Sequence, residues 1–286
     1  MFIWHEQSIR PIEGFAISAR DRAFEHGLGL FETLRAERGV APLLGRHLER
    51  LTRAAVALGI PLDPGRLPDA DAVRALVAAN RIDAAALVRI TLTGGFDARA
   101  GSTLWMRAEP LAARETTPRV SVFVDSGVVA STDPLARFKT LNYWSRRIWH
   151  ERAVALGCVD ALVRSSDDGG FLEATRANLF VVDHGTLVTT SLDAAVVPGI
   201  ARAVVLEIAA RRGIETRLVE SVPPEMLNQA SEMFLTNAVR GVVSFGYCLG
   251  LSGAELREVA CARAPGPITA RIASDIEHIL KKAEPY

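Results

Sequence analysis

Apolar runs of strand length and apolar faces of helix length are interleaved through both halves of this chain, without strict βαβ alternation. A doubly wound sheet needs a crossover helix between successive parallel strands. The pattern therefore predicts an α+β protein of mixed α/β layers. Leu44, Leu48, Leu51, Ala55 and Leu58 recur at steps of four and three and share one helix face, which Gly59 and Pro61 end. Further helices are expected at 70–79, 142–155, 200–211 and 268–281. Strands are expected at 2–5, 30–36, near 40–44 and at 87–93 in the first half. In the second half they are expected at 120–124, 161–164, 178–182, 187–190, 214–219, 233–236 and 241–244. A polar stretch with Pro118 separates the halves, giving an N-terminal α/β domain over 1–112, a linker over 113–119 and a C-terminal α/β domain over 120–286 that carries Lys139.

The 286 residues, 49% of them hydrophobic, suffice for a sizeable core. Zero formal net charge argues against a nucleic-acid partner. No stretch reaches the ~20 apolar residues of a membrane span, and residues 1–6 show no basic segment leading into an apolar run. Cys158, Cys248 and Cys261 are odd in number and lack metal-ligand spacing. No metal is expected, and a reducing, cytoplasmic location is. Gly27-Leu28-Gly29 lacks the third glycine of a dinucleotide-binding turn.

Of the 33 Lys plus Arg, only Lys139, Lys281 and Lys282 are lysine, leaving 33 − 3 = 30 arginines. A guanidinium stays protonated, whereas a desolvated lysine can lose its proton and condense with an aldehyde. Lys281 and Lys282 sit in a polar tail, so Lys139 is either the chemical lysine or a surface residue that escaped the arginine bias. An aldehyde cofactor on Lys139 needs cations and N–H groups for a phosphate, a carboxylate for a pyridinium and an arginine for a substrate acid. Pro198-Gly199-Ile200-Ala201-Arg202 opens a helix whose free N–H groups suit a phosphate, or is a plain Pro-initiated helix. Arg50 sits at the margin of an apolar helix face, either inward or solvated. Glu173 lies among Phe171, Leu172 and Ala174, as a buried acceptor or a surface strand residue. Thr236-Asn237-Ala238 ends an apolar strand with hydrogen-bonding groups.

Asp21-Arg22-Ala23-Phe24-Glu25-His26-Gly27-Leu28-Gly29-Leu30-Phe31-Glu32-Thr33-Leu34-Arg35 resembles the N-terminal signature of the class IV aminotransferases, the fold-type IV pyridoxal phosphate enzymes. So does His47-Leu48-Glu49-Arg50-Leu51. Phe138-Lys139-Thr140-Leu141-Asn142-Tyr143 is similar to the family's Schiff-base lysine segment. Leu172-Glu173-Ala174-Thr175-Arg176-Ala177-Asn178-Leu179-Phe180 resembles the segment that meets the pyridine nitrogen. The 198–202 and 232–238 segments resemble the two phosphate-site segments. The likeness runs from about 17 to 245, with six segments in the family's order.

The resemblance implies a homodimer of two-domain subunits with pyridoxal 5'-phosphate between the domains. It implies Lys139 as the catalytic residue and Glu173 as the partner of the ring nitrogen. Arg50, Asn178, Ile200, Ala201, Asn237 and Ala238 would complete the cofactor site, and Phe31, Arg35 and Arg99 would face the substrate. Ala201 stands where many members have Thr, Asn237-Ala238 where branched-chain enzymes have Gly-Thr, and Phe31 where many D-amino-acid enzymes have Tyr. Those departures look more like the 4-amino-4-deoxychorismate lyases of the family, so the implied substrate is aminodeoxychorismate. The alternatives are an amino-acid or (R)-amine transaminase and a cofactor-storing protein on the same scaffold.

Overall fold

The computed structural model of the chain describes residues 1–97, 101–112, 121–252 and 255–281. It divides into two units, Met1–Arg114 with Phe138–Asn142 and His278–Tyr286, and Glu115–Arg137 with Tyr143–Glu277. Among the described residues the first unit holds strands β1 (Phe2–His5), β2 (Ser8–Pro11), β3 (Gly29–Glu37), β4 (Ala85–Thr93) and β5 (Leu104–Pro110). They form an antiparallel sheet in the order β2-β1-β5-β4-β3. Its helices are α1 (Arg22–His26), α2 (Leu44–Ala57) and α3 (Ala70–Ala79). Helix α2 packs on β3 and α3 on β1, β2 and β5.

Strand alternation sets the core of this unit. Leu30, Leu34 and Ala36 of β3 and Ala86, Val88, Ile90 and Leu92 of β4 are buried together with Leu44, Leu51, Ala54 and Ala55 of α2. Each fully buried Leu or Ile contributes roughly 1.5–3 kcal/mol. The Asp69 side chain accepts the Ala72 N–H at 2.8 Å and so caps α3. The strand expected near 40–44 does not form. Val40 only closes a turn onto Glu37, and Leu44 already begins α2. Pro42 cannot donate to a ladder, which removes the strand there.

The second unit has strands β6 (Ser121–Val129), β7 (Asp160–Ser165), β8 (Phe171–Ala174), β9 (Asn178–Asp183), β10 (Thr186–Thr190), β11 (Thr216–Val219), β12 (Glu232–Asn237), β13 (Gly241–Ser244), β14 (Tyr247–Ser252) and β15 (Glu255–Cys261). The helices are α4 (Trp144–Ala155), α5 (Ile200–Arg211), α6 (Pro224–Gln229) and α7 (Pro267–Leu280), the last belonging to this unit as far as Glu277. The sheet runs β11-β10-β9-β8-β7-β6-β14-β15, with β12 on β9 and β13 on β12. It is mixed: β6 pairs parallel with β7 and β14, and β10 with β11, while the other pairs are antiparallel. Phe180 and Phe234 face each other across β9 and β12 with ring centroids 4.9 Å apart. The expected linker, 113–119, lies outside the described residues.

The segment carrying Lys139 belongs to the first unit, not to the body of the 120–286 half in which the sequence places it. The Phe31 N–H donates to the Lys139 carbonyl and the Leu141 N–H to the Gly29 carbonyl, both at 2.9 Å. Thr140 bridges to Leu30 in antiparallel register. Gly29 permits the approach, because a Cβ there would lie 2.5 Å from Leu141 Cδ1.

Candidate active site

Alternation along β3 sends Phe31 and Glu32 to opposite faces. Glu32 falls in the apolar stripe of Leu30, Leu34 and Ala36 and is almost wholly buried. A carboxylate there needs partners, and α2 supplies two, three residues apart on one face. His47 Nδ1 lies 2.7 Å from Glu32 Oε2, and Arg50 donates from Nε to Oε1 at 2.8 Å and from Nη2 to Oε2 at 2.6 Å. Burial raises the Glu32 pKa, but the Arg50 charge and the hydrogen bonds of His47 and Arg50 outweigh it and bring it down to about 2. Burial lowers the His47 pKa in spite of Glu32. A neutral imidazole with its proton on Nδ1 suits that pair. Arg50 thus points inward, held by a carboxylate.

Phe31 faces the other side of the sheet. The Lys139 Nζ stands 4.3 Å from its ring centroid and the Arg89 guanidinium carbon 3.9 Å. Arg89 pairs in register with Thr33 and so shares this face. Cation–π contact suits both groups. Arg35 lies on the same face and pairs with Glu37 at 2.9 Å. The half-buried Lys139 therefore stands over a cationic strand surface. Arg99 lies outside the described residues.

In the second unit Glu173 is buried on β8. Its Oε2 accepts from Asn178 Nδ2 at 3.0 Å and from the Val197 N–H at 3.2 Å, and its Oε1 from Arg146 Nη2 at 2.6 Å. Burial lowers the pKa of Arg146, but the Glu173 charge more than restores it. Glu173 is thus an ionised acceptor, not a surface strand residue. Asn178 also donates to the Val197 carbonyl at 3.0 Å, so its amide braces Glu173 against the loop before α5.

That loop feeds the N-terminus of α5, where Ile200 and Ala201 are buried. The first N–H groups of a helix have no partner within it and carry its positive dipole end. Gly199 is required, since a Cβ there would lie 1.9 Å from Asn178 Oδ1. Arg202 is 4% exposed, and its Nη2 donates to the Thr190 carbonyl at 2.7 Å. Its buried Nε meets no hydrogen-bond partner among the described residues. Burial lowers the Arg202 pKa in spite of Glu173. The first N–H groups of α5 suit an anion, and the orphaned guanidinium N–H belongs to a residue of the same first turn. On β12 the Asn237 Oδ1 accepts the N–H groups of Val239 at 3.0 Å and Arg240 at 2.8 Å, and the Thr236 hydroxyl donates to the Gly241 carbonyl at 3.0 Å. Ala238 follows in this turn.

Each unit thus gathers its own predicted residues: Lys139, Phe31, Arg35 and Arg50 in the first, Glu173, Asn178, Ile200, Ala201, Asn237 and Ala238 in the second. Sequence reasoning gave no role to Glu32, Arg89, Arg146 or Arg202. Glu32 carried a readable signal, a carboxylate occupying one slot of an alternating apolar stripe. Arg202 carried another, a charge in a helix that is apolar around its first turns. Arg146 carried none.

Residues 29–246 match the model of the class IV aminotransferase family. A Methanocaldococcus jannaschii protein, named provisionally as a branched-chain-amino-acid aminotransferase, is 29% identical over 239 residues, 79% of this chain and 81% of its own. The aminodeoxychorismate lyase of Bacillus subtilis is 25% identical over 237 residues, 80% of each chain. A branched-chain aminotransferase from Thermoproteus uzoniensis, solved with norvaline, shares the fold with a TM-score of 0.84 at 22% identity, over 99% of this chain and 96% of that one. The chain belongs to the class IV aminotransferase family, as the ordered segments of its sequence indicated.

Proposed function

From membership of the class IV aminotransferases, we propose that this chain is a pyridoxal-phosphate-dependent lyase that splits 4-amino-4-deoxychorismate into 4-aminobenzoate and pyruvate. The observation that carries the lyase reading is a loss of hydroxyls: positions 31, 201 and 238 hold Phe, Ala and Ala. The Thr236 hydroxyl is engaged by Gly241. A transaminase must retain the aminated cofactor through half a cycle without a covalent link, and each missing hydroxyl bond removes ~1 kcal/mol of that hold. A lyase returns the cofactor to Lys139 at every turnover. Each product bears one carboxylate, so the substrate bears two, and Arg89 and Arg35, cations on the Lys139 face, would receive them.

The donor set fits the cofactor: an amine in Lys139, an ionised acceptor in Glu173, and an anion site in the α5 N-terminus with the orphaned Arg202 Nε. When bound, pyridoxal phosphate supplies an aldehyde for the substrate amine and a ring that accepts electrons. Lys139 Nζ would hold the cofactor by its aldehyde and, as a free amine, would be the base for the proton on the amine-bearing carbon of the substrate. Glu173 would accept the ring N–H and offset its charge. The N–H groups of Ile200 and Ala201, the turn at Asn237-Ala238, and Arg50 oriented by Glu32 would hold the phosphate. We propose a homodimer in the cytoplasm, with all three cysteines free. Among the described residues no helix is long and apolar enough to cross a membrane.

The test is pyruvate release from aminodeoxychorismate with no 2-oxo acid present. Release at a steady rate is expected. Turnover that starts only when a 2-oxo acid is added would replace the lyase with the transaminase, which uses the same Lys139 and Glu173. Binding without turnover on either substrate class would leave the cofactor-storing protein.

A further inference from the structure

The carboxylate of Glu173 accepts from both neutral and charged donors. Neutral donors, Asn178 and the Val197 N–H, meet Oε2, whereas Oε1 meets the full charge of Arg146 at 2.6 Å. Arg146 is itself fixed. Its Nη1 donates to the carbonyls of Ala174 at 3.3 Å and Thr175 at 3.4 Å. At the N-cap of α4, one turn before Arg146, the Tyr143 hydroxyl donates to the same Thr175 carbonyl at 2.7 Å. The Arg146 side chain is 16% exposed and that of Glu173 3%. Water therefore screens the pair little, and an ion pair of this kind acts strongly on a third charge brought to it.

We propose that Arg146 is a positioning residue which, through Glu173, loosens the hold on the proton of the cofactor's ring nitrogen. The proposal rests on the reading above that Glu173 meets that nitrogen. A carboxylate that already neutralises a guanidinium is a poorer base towards a second N–H, and the guanidinium charge opposes a further cation nearby. Other charged groups act here as well. Arg202 of α5 is a further cation acting with Glu173. Asp160 of β7 and Arg176 of the β8–β9 turn act on Tyr143, and Asp160 also on Arg146. The Tyr143 phenol stays neutral, its pKa pushed up to about 12 by burial. Replacing Arg146 by a neutral residue removes one positive charge from beside Glu173, a more negative setting that favours a protonated ring.

The experiment loads the full-length protein with pyridoxal phosphate labelled with 15N at the ring nitrogen and follows that resonance against pH. Arg146→Met should raise the titration midpoint by about one to three pH units, the size of shift that a close opposite charge causes. Arg146→Lys, which keeps the charge, should stay near the wild type. A purely structural role for Arg146 would not move the midpoint. Loaded Arg146→Met protein with the wild-type midpoint overturns the proposal and leaves the functional reading intact. A chain that takes up no pyridoxal phosphate, with no borohydride-fixed adduct on Lys139, overturns both. Should the Met variant fail to fold, the wild type decides: a ring nitrogen that titrates within the folded pH range supports the proposal, and one protonated to the alkaline limit of that range overturns it.

Discussion

Two residues of the first unit carry the proposed chemistry and the acid limit. Lys139 is the amine over the Phe31 ring, and Lys139→Arg keeps the positive charge there while losing the nucleophile. Turnover should fall at least ~10²–10⁴-fold, the usual contribution of a positioned base. Borohydride should fix cofactor on the wild type and not on the variant. Wild-type turnover by the variant would remove Lys139 from the mechanism. Glu32 governs acid stability. Its folded pKa lies at about 2, below the ordinary value of 4.5. The stabilisation it provides is therefore complete above ~4.5 and lost as pH falls towards 2. It amounts to roughly 3 kcal/mol at neutral pH. His47, neutral when folded, charges more readily when unfolded, and so erodes stability as pH falls below 6.5. Both act in one direction. The thermal midpoint should drop steeply on acidification in the wild type and less steeply in Glu32→Gln, which starts lower. Parallel curves would mean that Glu32 is not the group.

At the scale of elements, the decisive contact is that of segment 138–142 with β3. Gly29→Ala would place a methyl 2.5 Å from Leu141 Cδ1 and 2.7 Å from the Leu92 carbonyl oxygen, which is backbone and cannot turn aside. The expected cost is about 1–3 kcal/mol, with a fall in cofactor capture by Lys139 as the segment lifts. The control is Gly45→Ala in α2, where an added Cβ meets nothing within 4 Å. It should stabilise by up to about 1 kcal/mol, since Ala is the better helix former. Chemical denaturation and titration with pyridoxal phosphate measure both effects. Equal capture by Gly29→Ala and the wild type would separate β3 from the placing of Lys139. Periodicity made α2 legible in the sequence, because its apolar face repeats locally over more than three turns. It failed at 40–44, where Pro42 interrupts an apolar run, and it left unread β14 and β15, whose strand character depends on pairing with each other and, for β14, with β6.

At the scale of the whole molecule the question is which reaction the shared machinery serves. Transamination of D-alanine or an (R)-amine with a 2-oxo acid should be slow and should decay over successive turnovers unless pyridoxal phosphate is supplied. The cause would be the proposed phosphate site, which lacks the hydroxyls of Thr at 201 and 238, each worth ~1 kcal/mol. Release of the aminated cofactor into the filtrate measures the decay directly. Fast turnover sustained without added cofactor would favour the transaminase.

By itself the sequence determined the family, through six segments in order, and singled out one lysine among thirty arginines as the candidate amine. It also determined most long elements, since a helix or strand face is written in residues a few positions apart. Only the tertiary structure decided what the polar groups face. Arg146 and Glu173 are 27 residues apart, and no period links them; a helix laid beside a strand does. The same holds for Glu32 with His47 and Arg50, for the burial of Arg202, and for the docking of Lys139 onto β3. Apolar patterning says which side of an element is buried. The partner of a buried charge is chosen by the neighbouring element, because a charge removed from water takes the nearest opposite group that packing brings to it.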